Sequence, residues 1–215
     1  MSGVIFNGPV GRLEGYYCHS ERRHANLALV LHSHTQLGGS MNHPLPKRVF
    51  DAFAERGFSV LRFNFRGAGR SQGEFDSGNG ELADAASALD WLRIQNPEHE
   101  QSWIAGFSFG AWIGMQLLMR RPEIEGFVSI APPANLYDFN FLVPCPSSGL
   151  VLNGSADKLA PPKEVGKLVD RLRTRNGIDI QQRTFRGANH LFENHLDPMA
   201  KAVGSYIDSR MSVTC

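Results

Sequence analysis

The stretch Trp103-Ile104-Ala105-Gly106-Phe107-Ser108-Phe109-Gly110-Ala111-Trp112 constrains the fold more than any other part of the chain. It sets a G-x-S-x-G pattern between a short apolar run and a helix-like one. A strand that turns sharply into a helix at a serine is a nucleophile elbow. So tight a turn needs glycine two residues either side, because side chains there would collide. The helix that follows points its first amides at the serine, and these favour negative charge. The pattern alone is equally compatible with an ordinary glycine-containing turn. Its meaning depends on what the rest of the chain brings to the same place.

The surrounding elements alternate. Leu27–Leu31 and Phe127–Ala131 are short runs dominated by apolar residues, the signature of strands covered on both faces. Phe58–Phe65, Gln101–Phe107, Gly149–Asn153 and Ile178–Phe185 read as further strands. Helices are expected over about 45–56, Glu81–Ile94, Phe109–Arg121, Pro162–Arg173 and about His195–Arg210. In the first of the last two, Val165, Leu168, Val169 and Leu172 recur at helical spacing. Val4–Phe6 and Leu13–Tyr17 flank a turn-rich segment and predict an antiparallel hairpin at a sheet edge. Strands alternating with helices predict an α/β fold, with a mostly parallel sheet covered on both faces, in a single domain over 1–215. Ligand sites in such sheets lie beyond the carboxyl ends of the strands. Ser108, Asp157 and His190 each directly follow an expected strand, so they fall on one edge of the sheet.

Composition excludes several classes. Formal net charge is +1, so nothing in the charge balance points to nucleic acid or an anionic membrane. No apolar run reaches the roughly 18 residues of a membrane span. The segment Met1–Phe6 has no secretory-signal pattern. Cys18, Cys145 and Cys215 are far apart and odd in number, which predicts neither a disulfide framework nor a metal motif. A cytoplasmic protein without cofactor or metal is the expectation, with a small molecule rather than nucleic acid or a membrane as its partner. The oligomeric state is open; the N-terminal edge strand could pair with a second copy.

The order Ser108, Asp157, His190 is nucleophile, acid, histidine, the order found in α/β-hydrolases. The chain resembles that superfamily along nearly its whole length. It is most similar to small, lidless bacterial members related to dienelactone hydrolases. The resemblance rests on Gly106-Phe107-Ser108-Phe109-Gly110, on Asn153-Gly154-Ser155-Ala156-Asp157 before Pro161-Pro162, and on Gly187-Ala188-Asn189-His190-Leu191-Phe192. Phe63-Asn64-Phe65-Arg66-Gly67-Ala68-Gly69-Arg70-Ser71 is similar to a stretch with a structural role in the superfamily. The implied activity is that of a serine esterase acting on a small-molecule acyl substrate. His190 takes the Ser108 proton and Asp157 orients the imidazole. An oxyanion hole would use the N–H of Phe109 and one from the loop after Leu31. In relatives that loop often reads His-Pro-His-Pro, which leaves His34 or Gln36 here, with His34 preferred. Ser33 and Thr35 replace the prolines and predict a looser loop. Only Ala134–Ser148 occupies the interval where many relatives insert a lid, so the site should be open.

Rival assignments are weaker. His32, His34 and His43 could suggest a metal, but no carboxylate or thiol completes a ligand set; His32 is expected to brace the oxyanion loop. His195 with Glu193 is a rival base, Asp138 a rival acid and Cys145 a rival nucleophile without an elbow. Trp112 and Met115 read as core. Phe139, Phe141, Leu142 and Val143 either line the acyl side or pack locally. Arg66–Ser71 fits no phosphate-loop spacing and is expected to be a tight surface loop. The competing function is a catalytically weak hydrolase-like protein that binds a ligand or partner.

Overall fold

In a computed structural model, residues 1–173 and 177–212 are described; the predicted position of Cys215 lies outside them. The frame is an eight-stranded sheet in the order β1-β2-β4-β3-β5-β6-β7-β8. Its strands are β1 (Ser2–Asn7), β2 (Arg12–Cys18), β3 (Leu27–Leu31), β4 (Ser59–Phe63), β5 (Ser102–Phe107), β6 (Ile124–Ile130), β7 (Gly149–Gly154) and β8 (Ile180–Phe185). β1 pairs antiparallel with β2 and β2 antiparallel with β4, which makes the expected N-terminal hairpin. All other pairings are parallel. β3, β4, β5 and β7 are buried along their whole length. That is why β3 reads as a continuous apolar run rather than an alternating one; in the others Ser59, Arg62, Ser102 and Asn153 are polar yet buried.

The helices are α1 (Pro44–Ala54), α2 (Asn79–Ile94), α3 (Phe109–Arg120), α4 (Pro162–Leu172) and α5 (Leu196–Met211). α1 packs with α5, and α2 packs with α3, so the sheet is covered on both faces. Beside α1 and α5 the core is aromatic: the Trp103 ring lies 6.1 Å from Phe53 and from Phe58, and 6.0 Å from Tyr206. α4 is held by its apolar stripe, with Val165, Leu168, Val169 and Leu172 all buried. No helix among the described residues is long and apolar enough to cross a membrane.

The segment after β4 corrects two expectations. The strand stops at Phe63, two residues short of the expected end. Beyond it the backbone and its polar side chains are tied to distant parts of the chain. Arg66 makes a fork on Asp84 of α2, with Nη2–Oδ1 at 2.7 Å and Nε–Oδ2 at 3.0 Å, and its own N–H also donates to Oδ2. Both side chains are buried. Glu14 on β2 accepts from Asn64 Nδ2 at 2.6 Å, from the Arg70 N–H at 2.8 Å and from Arg70 Nε at 2.9 Å. Burial alone would raise the Glu14 carboxyl, yet these donors hold it below the usual carboxylate range. Asn64 Oδ1 in turn accepts from the Met41 N–H. Arg66–Ser71 is therefore not a simple surface loop: Arg66 and Ser71 are buried in a hydrogen-bonded strut between the hairpin, α2 and the segment leading into α1. The guanidinium of Arg66 is neutralised by a carboxylate of the chain itself, which removes the phosphate-loop alternative.

Candidate functional site

β5 ends at Phe107, and the next residue has φ 55° and ψ −118°. A positive φ is costly for a residue with a side chain, and Ser108 is held there from several sides. Its N–H donates to Ile130 O at 2.8 Å, and its carbonyl accepts from Ala111 and Trp112 at 2.9 and 3.3 Å. A Cβ on Gly106 would lie 2.3 Å from Gly110 O, and one on Gly110 would lie 2.3 Å from His32 O. Both glycines are thus required by backbone packed against backbone. The second contact also brings the loop after β3 against the first turn of α3.

The acid and histidine arrive on two loops laced together. Ser155 N–H donates to Phe185 O at 2.9 Å, Ala156 N–H to Ala188 O at 3.0 Å, and Gly187 N–H to Ser155 Oγ at 2.8 Å. Asp157 Oδ1 accepts from the N–H groups of Leu159 and Ala160, both at 2.8 Å. Its Oδ2 lies 2.8 Å from His190 Nδ1, and His190 Nε2 lies 2.9 Å from Ser108 Oγ. With Asp157 as the carboxylate, Nδ1 carries the proton and the Nε2 lone pair faces the serine hydroxyl. The Asp157 side chain is wholly buried and that of His190 is 12% exposed, so the acid is shielded while the imidazole edge is accessible. His190 also rests on the Phe107 ring at 5.2 Å, and His43 stacks on that ring at 6.0 Å.

The loop after β3 lacks prolines and is ordered by other means. His34 has φ −57° and ψ 123°, and a single 3₁₀ turn follows at Thr35–Leu37. Its carbonyl accepts from Leu37 and Gly39, and Thr35 O accepts from Gly38. His32, expected as a brace, lies under the loop: Nδ1 is 2.6 Å from Ser33 O, and Nε2 accepts from the Phe65 N–H at 3.0 Å. A carbonyl and an N–H fix that tautomer without ambiguity. Burial lowers the His32 imidazole from its ordinary value to about 4, so it is neutral at neutral pH. Neither the His34 nor the Phe109 N–H has a hydrogen-bond partner among the described residues.

The rivals lie elsewhere. His195 sits at the start of α5, its carbonyl accepting from Met199, and Glu193 pairs with Asn189. Asp138 Oδ1 accepts from the Asn140 N–H. Cys145 is buried, with Sγ 3.3 Å from Ser147 O. His32, His34 and His43 diverge, each against a different neighbour. Among the described residues no group of three His, Cys, Asp or Glu side chains could hold a metal ion. Phe139 and Leu142 are buried, Phe141 is half-buried with its ring stacked 6.2 Å from Phe139, and Val143 is exposed. Met115 is core; Trp112 is only partly buried and stacks on Tyr137 at 4.5 Å. Two rings near the elbow, Phe75 and Tyr137, carry no sequence signal, because nothing local relates them to Ser108.

A family model described as X-Pro dipeptidyl-peptidase (S15 family) matches residues 14–190. An uncharacterized protein of Rickettsia prowazekii is 45% identical over 211 residues, which cover 96% of this chain and 89% of that protein. Among solved structures, a candidate α/β hydrolase of unknown function from Agrobacterium tumefaciens is 58% identical with a TM-score of 0.96, covering 98% of this chain and 97% of that one. An α/β serine hydrolase without a lid from Xanthomonas campestris is 31% identical with a TM-score of 0.87, covering 97% and 94%.

Proposed function

The chain belongs to the X-Pro dipeptidyl-peptidase (S15) family, within the α/β-hydrolases, and from that premise we propose that it is a serine hydrolase cleaving a carboxylic ester or similar acyl compound through an acyl-enzyme. The observation that carries this reading is the unbroken chain from Asp157 through His190 to Ser108 Oγ, with steps of 2.8 and 2.9 Å.

Each residue has a role its chemistry suits. Ser108 Oγ attacks the acyl carbon while His190 Nε2 takes its proton. Collapse of the tetrahedral intermediate returns that proton to the leaving alcohol, and water repeats the sequence to release the acid. Asp157 holds the imidazole in the required tautomer and stabilises the imidazolium. The N–H groups of Phe109 and His34 receive the developing oxyanion, and α3 adds the positive end of its dipole. No metal or cofactor enters this scheme.

Hydrolysis of p-nitrophenyl esters from acetate to decanoate, with labelling by a fluorophosphonate, tests the proposal. Ser108→Ala should lose roughly 10⁴- to 10⁶-fold in kcat and all labelling. Retention of more than about a tenth of the rate would identify another nucleophile. His190→Ala should be comparably severe and Asp157→Asn milder. The family description makes a second reading concrete, cleavage of a peptide after proline. An Ala-Pro p-nitroanilide in the same panel separates the two. Absence of both turnover and labelling would favour a ligand-binding protein built on a hydrolase frame.

A further inference from the structure

The rings around the elbow form a continuous wall that the triad chemistry does not use. Phe109, the residue after Ser108, is at its centre. Its ring centroid lies 5.1 Å from His34, 5.8 Å from Phe75 and from Trp112, and 5.9 Å from Tyr137. The outer rings also touch one another: His34 and Phe75 are 4.4 Å apart, and Trp112 and Tyr137 stack at 4.5 Å. Phe109 is buried, whereas His34, Phe75, Trp112 and Tyr137 all keep part of their surface open.

The wall is held in shape. Trp112 Nε1 donates to Asp138 O at 3.0 Å, fixing that ring to the loop after β6. His34 is fixed by the turn described above. Burial pushes the Tyr137 hydroxyl up and the His34 imidazole down, so both are neutral near pH 7. The wall thus presents uncharged ring surface. Beside Phe75 a depression of about 350 Å³ is lined by Thr35, Gln36, Gly67, Gly73 and Glu74 as well. Two polar atoms on this side, His34 Nδ1 and Thr35 Oγ1, are buried without a hydrogen-bond partner among the described residues.

Resting on the serine-hydrolase reading, we propose that this wall selects esters carrying a planar aromatic ring next to the scissile bond. Rings gain from offset stacking and edge-to-face contact beyond what their apolar area supplies. A saturated ring of the same carbon count gains only from area. His34 would then serve twice, with its N–H on the oxyanion and its ring on the substrate.

The test compares matched pairs. Methyl 3-phenylpropanoate is set against methyl 3-cyclohexylpropanoate for a ring on the acyl side. Benzyl acetate is set against cyclohexylmethyl acetate for a ring on the alcohol side. One pair should show kcat/KM roughly tenfold higher for the flat ring, and that pair identifies the side. In Phe75→Leu and Tyr137→Leu the same ratio should fall towards one. A variant that folds poorly loses both members of a pair alike, so the ratio still reports on the wall. Ratios near one in the wild type, or a preference that survives both substitutions, would overturn the proposal. Fluorophosphonate labelling of the wild type separates the levels. Labelling with no ring preference removes the wall alone, and absence of labelling removes the reading beneath it.

Discussion

His32 shows how one buried side chain can set the acid limit of the protein. It is 1% exposed and neutral, giving its Nδ1 proton to Ser33 and taking the Phe65 N–H on Nε2. Protonation would set a second N–H against that donor. The imidazole titrates near 6.5 when unfolded and at about 4 in the fold. The unfolded chain therefore binds the proton first, and this contribution to stability is complete above about pH 6.5 and is lost as pH falls towards 4. Its size is about 3 kcal/mol. Urea unfolding at pH 7 and pH 4.5 should show that loss, and His32→Gln should flatten the pH slope between them. Equal slopes in the two proteins would place the acid sensitivity in other groups. His34 and His43 are shifted the same way by burial, so the difference between wild type and variant is what isolates His32.

Among the elements, the join between the loop after β4 and α2 should be the most costly to break. Asp84→Ala would leave the Arg66 guanidinium buried without its carboxylate. A buried pair broken on one side loses about 3–5 kcal/mol, which a shifted denaturation midpoint at unchanged slope would report. No smaller effect is expected, because the Arg66 N–H loses its acceptor as well. The same join shows where sequence patterns stop being informative. β3, the core of β6 and the helices were legible because burial on both faces writes apolar runs and packing on one face writes helical stripes. β6 starts earlier than its apolar run because Ile124-Glu125-Gly126 carries an exposed glutamate at the strand's outer end. Arg66 reads as a solvent-facing charge, since its partner stands 18 residues away on another element. For the candidate site, the meeting of Ser108, Asp157 and His190 could be anticipated because each follows a strand and so falls on the same sheet edge. The ring wall was not, because Phe75 and Tyr137 meet Phe109 only through tertiary packing.

At the scale of the molecule, the carboxyl edge of the sheet carries Ser108, Asp157 and His190, and among the described residues the connection from β6 to β7 beside them is short. It amounts to local packing by Phe139 and Leu142 and a single turn at Asn140–Leu142. With no lid among the described residues, the proposed ester hydrolysis should follow one saturation curve as substrate passes its solubility limit. A jump in rate at that limit would show that some segment moves at an interface. The antiparallel hairpin has the opposite character from that short connection. Its position at the sheet margin makes it look like an appendage that protein engineering could trim. Glu14 makes it otherwise, because its carboxylate closes onto Asn64 and Arg70, and Asn64 reaches Met41 ahead of α1. A chain cut to begin at β3 would leave Asn64 and Arg70 without the Glu14 carboxylate, even though β3 is the first strand to lead into the loop beside Ser108. Deletion through β2 should therefore lower the denaturation midpoint relative to the full chain.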